Sequence, residues 1–317
     1  MNLKPVIPFE PVASEQMPVG SEWIFQIKWD GVRVLSYFDG KEVKLFNRKL
    51  NDRTRIFPEL TDMKSYTNAH SIIVDGEVIA LDSHGSPSFH EVMKRDGIRR
   101  IDRVDQARQE VPIFYMIFDI IYVNGEWIHD YPLEERLKIL QETVQPNPTI
   151  QLVPIEKDGH ALWEVVKQHG LEGMVAKNLQ SKYTINGKNA NWMKVKNYQD
   201  VIAVIGGVTY RNDIVNSIVL GLYDNQGQLH FIGHAGTGKL TREEWITFTR
   251  AIEPLKIHNR PFANNPARIK GVQWLKPVLT VKVQFIEWPK GHSLRQPSIQ
   301  AFVNQDPKRC LIPEQEG

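Results

Sequence analysis

The residues best suited to chemistry in this chain gather around one lysine. In Trp23-Ile24-Phe25-Gln26-Ile27-Lys28-Trp29-Asp30-Gly31-Val32-Arg33 the side chains alternate in character. Phe25, Ile27 and Trp29 share one face of an extended segment, and Gln26, Lys28 and Asp30 share the other. A lysine fixed on a rigid strand beside an acid is a candidate nucleophile once desolvation or neighbouring cations favour its neutral amine. Asp30-Gly31 reads as a turn joining two strands. These residues alone argue weakly, because an exposed Lys and Asp ahead of a turn are common in proteins that make no use of them.

Further candidates lie downstream. Asp75-Gly76-Glu77 falls in the β-rich run SIIVDGEVIAL, and Phe118-Asp119 in the apolar run IFYMIFDIIYV. Glu172-Gly173-Met174-Val175-Ala176-Lys177 and Trp192-Met193-Lys194-Val195-Lys196 follow. Lys194 and Lys196 alternate with Val195, so both amines fall on one strand face, as phosphate contacts require. Each segment also has a plain structural reading. Phe118 could be core, Glu172 a solvated loop acid, and the two lysines the wet side of an amphipathic strand. Gly233-His234-Ala235-Gly236-Thr237-Gly238-Lys239 matches most of a Walker A loop, but Leu240 replaces the Ser or Thr that would bind Mg²⁺. It reads as a hairpin.

The elements that must position these residues are mixed. The first 20 residues are Pro-rich and read as an extended stretch over the surface. Short strands broken by Gly, Asp and Asn follow, and Ile113–Val123 reads as a buried strand holding one acid. Residues 132–145, opening on Pro132 as a first-turn proline, and residues 160–169, ending before Gly170, have helical spacing. This is an α+β pattern without strict βαβ alternation. From about Asp200 the character changes to several short strands and one helix with a Thr241/Glu244 capping box, which fits an OB-type barrel. The expected domains are therefore 1–199 and 200–317.

Composition sets outer bounds. The chain has 317 residues, 39 Lys and Arg against 37 Asp and Glu, and one cysteine, Cys310. A disulfide framework and a four-Cys zinc site within the chain are excluded. No apolar run reaches the roughly 20 residues of a membrane span, and the N-terminus lacks the pattern of a signal peptide, so a cytoplasmic protein is expected. Residues 200–317 carry 14 Lys and Arg against 10 Asp and Glu, a mild basic excess that suits a polyanion.

In this order the segments resemble the nucleotidyltransferase motifs KxDGxR, DGE, FD, EGxVxK and WxKxK shared by DNA ligases, RNA ligases and mRNA capping enzymes. Phe57-Pro58-Glu59-Leu60, SFHEVMKR from Ser88, VIGGVTY from Val204, HAGTGKL from His234 and the LRQP that follows LKPVLTVKVQFIEW extend the resemblance, from about Pro18 to Cys310, to ATP-dependent ligases of bacterial end joining. The resemblance implies an ATP-grasp-like adenylation domain followed by an OB-fold β-barrel. It implies Lys28 as the nucleophile that takes AMP from ATP, with Asp30 in support. Gln26 and Ile27 would meet adenine, Phe118 would stack on it, and Glu77 would bond the ribose. Arg33 and Arg48 would lie near ribose or phosphate, and Lys194 and Lys196 would hold phosphate. Glu77 and Glu172 would hold Mg²⁺ or Mn²⁺. The implied substrate is nicked duplex DNA, handled by a monomer with a Ku-like end-binding protein as a partner. NAD is disfavoured, since NAD-dependent ligases carry a four-Cys zinc module and an extra N-terminal domain.

Two positions depart from the pattern. The Ser-Arg-x-Gly motif reads Asn47-Arg48-Lys49-Leu50, without its glycine. The C-terminal Arg-x-Asp-Lys, which orients departing pyrophosphate, has Val303 for the Arg and Asp306 for the Lys. Arg295 in LRQP remains, and Lys308 with Arg309 lies just beyond as a candidate substitute. Two other readings stay open: an RNA ligase or capping-type enzyme, and a nick-binding protein without catalysis.

Overall fold

A computed structural model describes residues 3–236, 238–266, 269–289 and 291–313. The chain divides into two compact units, Met1–Asn197 and Tyr198–Gly317. In chain order the first unit holds β1 (Glu10–Ala13), β2 (Trp23–Ile27), β3 (Val32–Phe38), β4 (Val43–Asn47), β5 (Ile72–Ala80), α1 (Phe89–Asp96), α2 (Val104–Glu110), β6 (Ile113–Val123), β7 (Glu126–Trp127), α3 (Leu133–Thr143), β8 (Ile150–Leu152), α4 (Gly159–Gln168), β9 (Gly173–Asn178) and β10 (Lys188–Lys196).

Two sheets organise this unit, and most of their pairings are antiparallel. One runs β1-β10-β9-β2, the other β4-β3-β5-β6-β7 with β8 on β6. The strands are apolar on both sides because both faces of the larger sheet are covered. Ile72, Val74, Val78 and Ala80 of β5 pack with Val92, Val104, Leu133 and Leu137 from the helices. Ile73 of β5 packs instead with Phe9, Leu35, Tyr183 and Trp192 in a second cluster. Period-two alternation therefore sends Asp75 and Glu77 to the same side as Ile73, away from the helices.

Three expectations change here. The Asp30-Gly31 step is no hairpin, because β2 pairs with β9 and β3 pairs with β4 and β5. Residues 28–31 cross from one sheet to the other, so Lys28 sits just beyond the end of β2 rather than beside Asp30 on a strand. The opening segment is no loose surface stretch either. β1 runs parallel to β10, pairing Ala13 with Lys194, and Phe9 is fully buried. Pro132 caps α3 instead of opening its first turn.

Apolar β6 conceals a third sheet feature. Its register pairs Gly76 with Ile117 and Asp75 with Asp119, which leaves Phe118 as the extra residue of a β-bulge. Strict alternation breaks there: Ile117 and Ile120 both face the helices, while Phe118 and Ile121 both face the space between the sheets.

The second unit holds β11 (Gln199–Arg211), β12 (Ile214–Tyr223), β13 (Leu229–Ala235), α5 (Arg242–Ala251), β14 (Lys256–Ile257), β15 (Gln273–Leu275), β16 (Thr280–Phe285) and β17 (Ser298–Val303). β13 pairs with β12, β12 with β11, β11 with β16 and β16 with β17. Gly238 then bridges to Ile299 of β17, and the Lys239 amide donates to the Ile299 carbonyl at 2.8 Å, so the strand circuit closes into a barrel. Gly238 is required at this closure. Its φ is +152°, and a Cβ there would lie 2.0 Å from the Ile299 carbonyl oxygen. The glycine-rich stretch is thus no hairpin, since β13 leads on to α5. It is a barrel seam in which Gly238 bridges Ile299 in parallel, and its backbone is bonded to β17 rather than arranged as a phosphate loop; Thr237 lies outside the described residues. The Thr241/Glu244 capping box of α5 is present as expected.

Leu50 adopts φ +61° in the turn after β4, where the family pattern has its glycine. The turn survives because Asn47 Oδ1 accepts from the Lys49 and Asn51 amides, both at 3.0 Å. A left-handed non-glycine residue costs roughly 1–2 kcal/mol, and Leu50 joins none of the buried clusters. Leu50→Gly is therefore expected to stabilise the unit by about 0.5–1 kcal/mol, after the greater unfolded-state freedom of glycine is discounted. Urea unfolding checks this; an unchanged or lower midpoint would show that the leucine side chain contributes more than the strain costs.

Candidate active site

The end of β2, the start of β9, the end of β10 and the inner face of β5 meet around Lys28. The Lys28 amide donates to the Gly173 carbonyl at 2.9 Å, fixing the crossing segment against β9. Gly173 has φ +149°, and a Cβ would lie 2.2 Å from the Val195 carbonyl oxygen, so glycine after Glu172 is what lets β9 and β10 close on each other. Lys28 Nζ forms an ion pair with Glu172 Oε2. The other oxygen of Glu172 holds Lys196 Nζ at 3.5 Å. Glu172 is buried, so a single carboxylate bridges two cations in a poorly hydrated pocket.

Glu77 is the second carboxylate. Burial pushes its carboxyl up to about 7; Lys28 and Arg33 oppose the rise, while Glu172 and Asp75 add to it. Lys194 and Lys196 are both held below the usual lysine range, first by burial. Lys196 and Lys28 add to the effect on Lys194, and Lys28 adds to that on Lys196, where Glu172 opposes it.

Behind these groups lies a buried polar wall. Arg33 engages Asp75 through two bonds, Nε to Oδ1 at 2.9 Å and Nη2 to Oδ2 at 2.6 Å. The Tyr183 hydroxyl donates to the same Oδ2 at 2.6 Å. Burial works against the Arg33 charge, but Asp75 and Tyr183 outweigh it and push its pKa up. Opposite Asp75 on β6, Asp119 is paired with Arg136 Nε and Nη2, both at 2.9 Å. Two buried acids facing each other across a strand pair persist because each has its own bidentate arginine.

The bulged Phe118 is only half-buried. Lys177 Nζ lies 4.4 Å from its ring centroid and 4.1 Å from that of Trp192, and donates to the Phe118 carbonyl at 3.3 Å. Burial brings this ammonium down to about 7, with Asp119 and Asp75 opposing. Gln26 is buried, its amide donating to the Val153 carbonyl at 3.2 Å while its Oε1 has no partner. Ile27 pairs with Met174 at the end of β2.

The first unit thus brings together Lys28, Glu77, Glu172, Lys194 and Lys196, with Gln26, Ile27, Arg33 and Phe118 on the elements around them. Asp30 lies in the crossing segment, and Arg48 in the turn after β4, 3.4 Å from Glu10. Arg295 and Lys308 belong to the second unit. Arg295 Nη1 lies 3.5 Å from Glu287, and burial brings its guanidinium down to about 10. Lys308 and Arg309 are exposed on a short turn capped by Asp306, whose side chain accepts from the Lys308 amide at 3.0 Å. Sequence reasoning missed Tyr183 and Trp192 as parts of the wall, and gave Asp75 and Lys177 no role. Tyr183 lies in a loop with no periodic signal, so nothing in the sequence announces its contact with Asp75.

Residues 11–196 match the ATP dependent DNA ligase domain model, and residues 211–304 match the ATP dependent DNA ligase C terminal region. This chain belongs to the ATP-dependent DNA ligase family. Over 286 residues, 88% of its length, it is 32% identical to the multifunctional non-homologous end joining DNA repair protein LigD of Mycobacterium tuberculosis, of which it spans 36%. It is 31% identical over 254 residues, 76% of its length, to the DNA ligase of Thermococcus onnurineus, of which it spans 45%. The chain thus spans well under two thirds of these curated relatives. The crystal structure of the ligase domain of M. tuberculosis LigD matches with a TM-score of 0.53 and 27% identity, covering 97% of this chain and 98% of that one. Mycobacterial DNA ligase D complexed with ATP and MES matches with a TM-score of 0.52 and 27% identity, covering 98% of each chain. The architecture of this ATP-dependent ligase is accordingly a nucleotidyltransferase domain followed by an OB-fold barrel. No helix among the described residues is long and apolar enough to cross a membrane.

Proposed function

We propose that this ligase seals nicks bearing a 3′-hydroxyl and a 5′-phosphate in duplex DNA, using ATP, with the adenylation domain over 1–199 and the barrel over 200–317. The observation that carries the reading is the Lys28–Glu172–Lys196 cluster with Glu77 alongside, at the meeting of four motif-bearing segments. Lys28 Nζ attacks the α-phosphorus of ATP; a P–N bond forms, a P–O bond breaks, and pyrophosphate leaves. An oxygen of the 5′-phosphate then attacks the AMP phosphorus and releases Lys28. Finally the 3′-hydroxyl attacks the DNA-adenylate, and AMP departs.

For Lys28 to attack, its proton must leave and its pair with Glu172 must open. Lys194 and Lys196 present cations to phosphate, and the half-buried Phe118 offers its ring to adenine. The unpartnered Oε1 of Gln26 suits the exocyclic amine of adenine, beside the β2 backbone at Ile27. Arg33 spends Nε and Nη2 on Asp75, which leaves Nη1 for ribose or phosphate. Among the described residues no group of three or more His, Cys, Asp or Glu is placed to hold a metal ion. Two carboxylates, Glu77 and Glu172, do fit Mg²⁺ or Mn²⁺, since Mg²⁺ takes one or two protein carboxylates and completes its shell with phosphate and water. Bound there, the ion supplies charge neutralisation at the α-phosphate.

Incubation with ATP and a singly nicked 5′-phosphorylated duplex should give sealed product, and neither NAD nor nicked RNA should substitute. Sealing of RNA alone would move the chain to the RNA ligases; DNA binding without a covalent adenylate would make it a nick-binding protein. Binding should be insensitive to sequence and weaken steeply with salt, since the contacts are to backbone phosphate. Relatives named for non-homologous end joining DNA repair support a role in DNA repair; a Ku-like end-binding partner and a cytoplasmic location belong to the same proposal. A single species at monomer mass in sedimentation would support action as a monomer.

Two further outcomes are expected. Glu77 must be ionised to accept from ribose or hold a cation, so adenylylation should climb as pH rises through about 7. Glu77→Gln should be slower and lose that limb; an unchanged profile assigns the limb elsewhere. The stability sign is opposite. With its folded value above the ordinary 4.5, Glu77 favours folding most below 4.5, and this contribution is lost as pH rises to about 7. Secondly, Lys308→Ala with Arg309→Ala should slow the first step about 10-fold or more, as loss of leaving-group stabilisation does. Unchanged adenylylation would end their candidacy.

A further inference from the structure

Glu10 lies one residue before the family-matched region and is the acidic member of an otherwise basic corner. It opens β1, the strand laid parallel along β10. Its amide donates to the Gly187 carbonyl at 2.9 Å, and its Cα faces Lys188. Farther along, the Ser14 amide donates to the Lys194 carbonyl at 3.0 Å. The strap is anchored at its other end by Phe9, buried against Trp192 with ring centroids 5.0 Å apart, and by the Val6 amide, which donates to the Tyr37 hydroxyl at 2.9 Å. Glu10 is therefore held at a fixed place.

Its carboxylate lies 3.4 Å from Arg48 Nη1. It is also the acid that counters the burial and the neighbouring cations acting on Lys194. We propose that Glu10 is a phosphate placeholder: its carboxylate occupies the Arg48 and Lys194 corner in the free enzyme and is displaced when a phosphoryl group arrives. The inference rests on Arg48 and Lys194 being phosphate ligands.

The chemistry explains the arrangement. A guanidinium accepts a carboxylate or a phosphate in the same fork geometry, and a phosphate brings more charge and more acceptor oxygens. At 3.4 Å, with the Arg48 side chain largely exposed, the Glu10 pair is a weak one that a dianion can outcompete. It still pairs Arg48 and offsets the cations around Lys194, namely Lys196, Lys28 and Lys188, when no substrate is present. The entering group could be the nucleotide phosphates or the 5′-phosphate of the nick.

The two sources separate in a binding experiment at low ionic strength. One arm uses α,β-methylene ATP; the other uses a nicked duplex with a 5′-phosphate, against the same duplex with a 5′-hydroxyl. Glu10→Gln should tighten whichever ligand displaces it by about threefold, the scale of an exposed ion pair, and the gain should vanish in about 1 M salt. A gain for the nucleotide alone places nucleotide phosphate in the corner, and a gain for the 5′-phosphate duplex alone places the DNA end there. In an Arg48→Ala background the gain should disappear. A simple tether would give the opposite sign, with Glu10→Gln weakening binding and lowering the melting temperature together. If Arg48→Ala weakens binding but Glu10→Gln gives no gain, the placeholder role falls while the phosphate assignment stands. If Arg48→Ala leaves both affinities unchanged, assignment and placeholder fall together.

Discussion

Lys28→Ala is expected to carry no covalent AMP at all, with ATP-dependent sealing reduced by at least about 10⁴-fold, the scale of losing a nucleophile. No neighbour can take over. Lys196 is tied to Glu172, and Lys194 projects from a different strand, so neither amine reaches the position that the crossing segment gives Lys28. Lys28→Arg should be equally inactive, because a guanidinium does not surrender its proton. Incubation with α-labelled ATP followed by denaturing electrophoresis reads the adduct directly, and label persisting in Lys28→Ala would refute the assignment. A pre-adenylated nick makes the test sharper. It bypasses the first two steps, so Lys28→Ala should still close it, which also shows that the variant folds and binds DNA.

Glu172→Gln sets two effects of opposite sign against each other. Removing the charge releases Lys28 from its ion pair, which by itself assists attack. It also removes one of two carboxylates suited to a divalent cation and leaves Lys28 and Lys196 facing each other without a counter-charge. The second effect should win. Loss of a preorganised charge at a phosphoryl-transfer site costs about 10²–10³-fold, whereas freeing an amine that is already partly exposed returns much less. The expected result is adenylylation slowed by about 10²-fold or more, mostly in kcat, with excess Mg²⁺ restoring little. A rate equal to or above that of the unaltered enzyme would mean that Glu172 only restrains Lys28. The glutamine is nearly isosteric, so the barrel unit should unfold as before, and a fall in stability should be confined to the first unit.

The contrast between Lys28 and Phe118 shows where sequence reading stops. Lys28 was legible because its neighbours alternate and because Glu77, Phe118, Glu172, Lys194 and Lys196 follow in family order. Its setting was not. A strand that ends and crosses to another sheet has the same local residues as one that turns into a hairpin, and only the partners of β2 and β3 separate the two. Phe118 was named, but an apolar run gives no sign of a bulge, because every position in it is compatible with burial. The bulge appears only when β5 fixes the register. Leu50 is the converse case. The departure from glycine was plain in the sequence, yet the turn keeps the left-handed conformation, because two amides on Asn47 hold it.

By itself the sequence determined what is local and ordered: the alternation in β10 that aligns Lys194 with Lys196, the capping box of α5, the shift to barrel strands, and the succession of motifs that marks the family. Only the tertiary structure decided which charges are shared. Asp75 is committed to Arg33 and Tyr183, Glu172 bridges Lys28 and Lys196, and Glu10 stands beside Arg48. The reason is physical. Covalent neighbours set backbone preference and facing, but a buried charge is compensated by whatever the packing brings within a few ångströms, and these partners lie 24 to 144 residues apart along the chain.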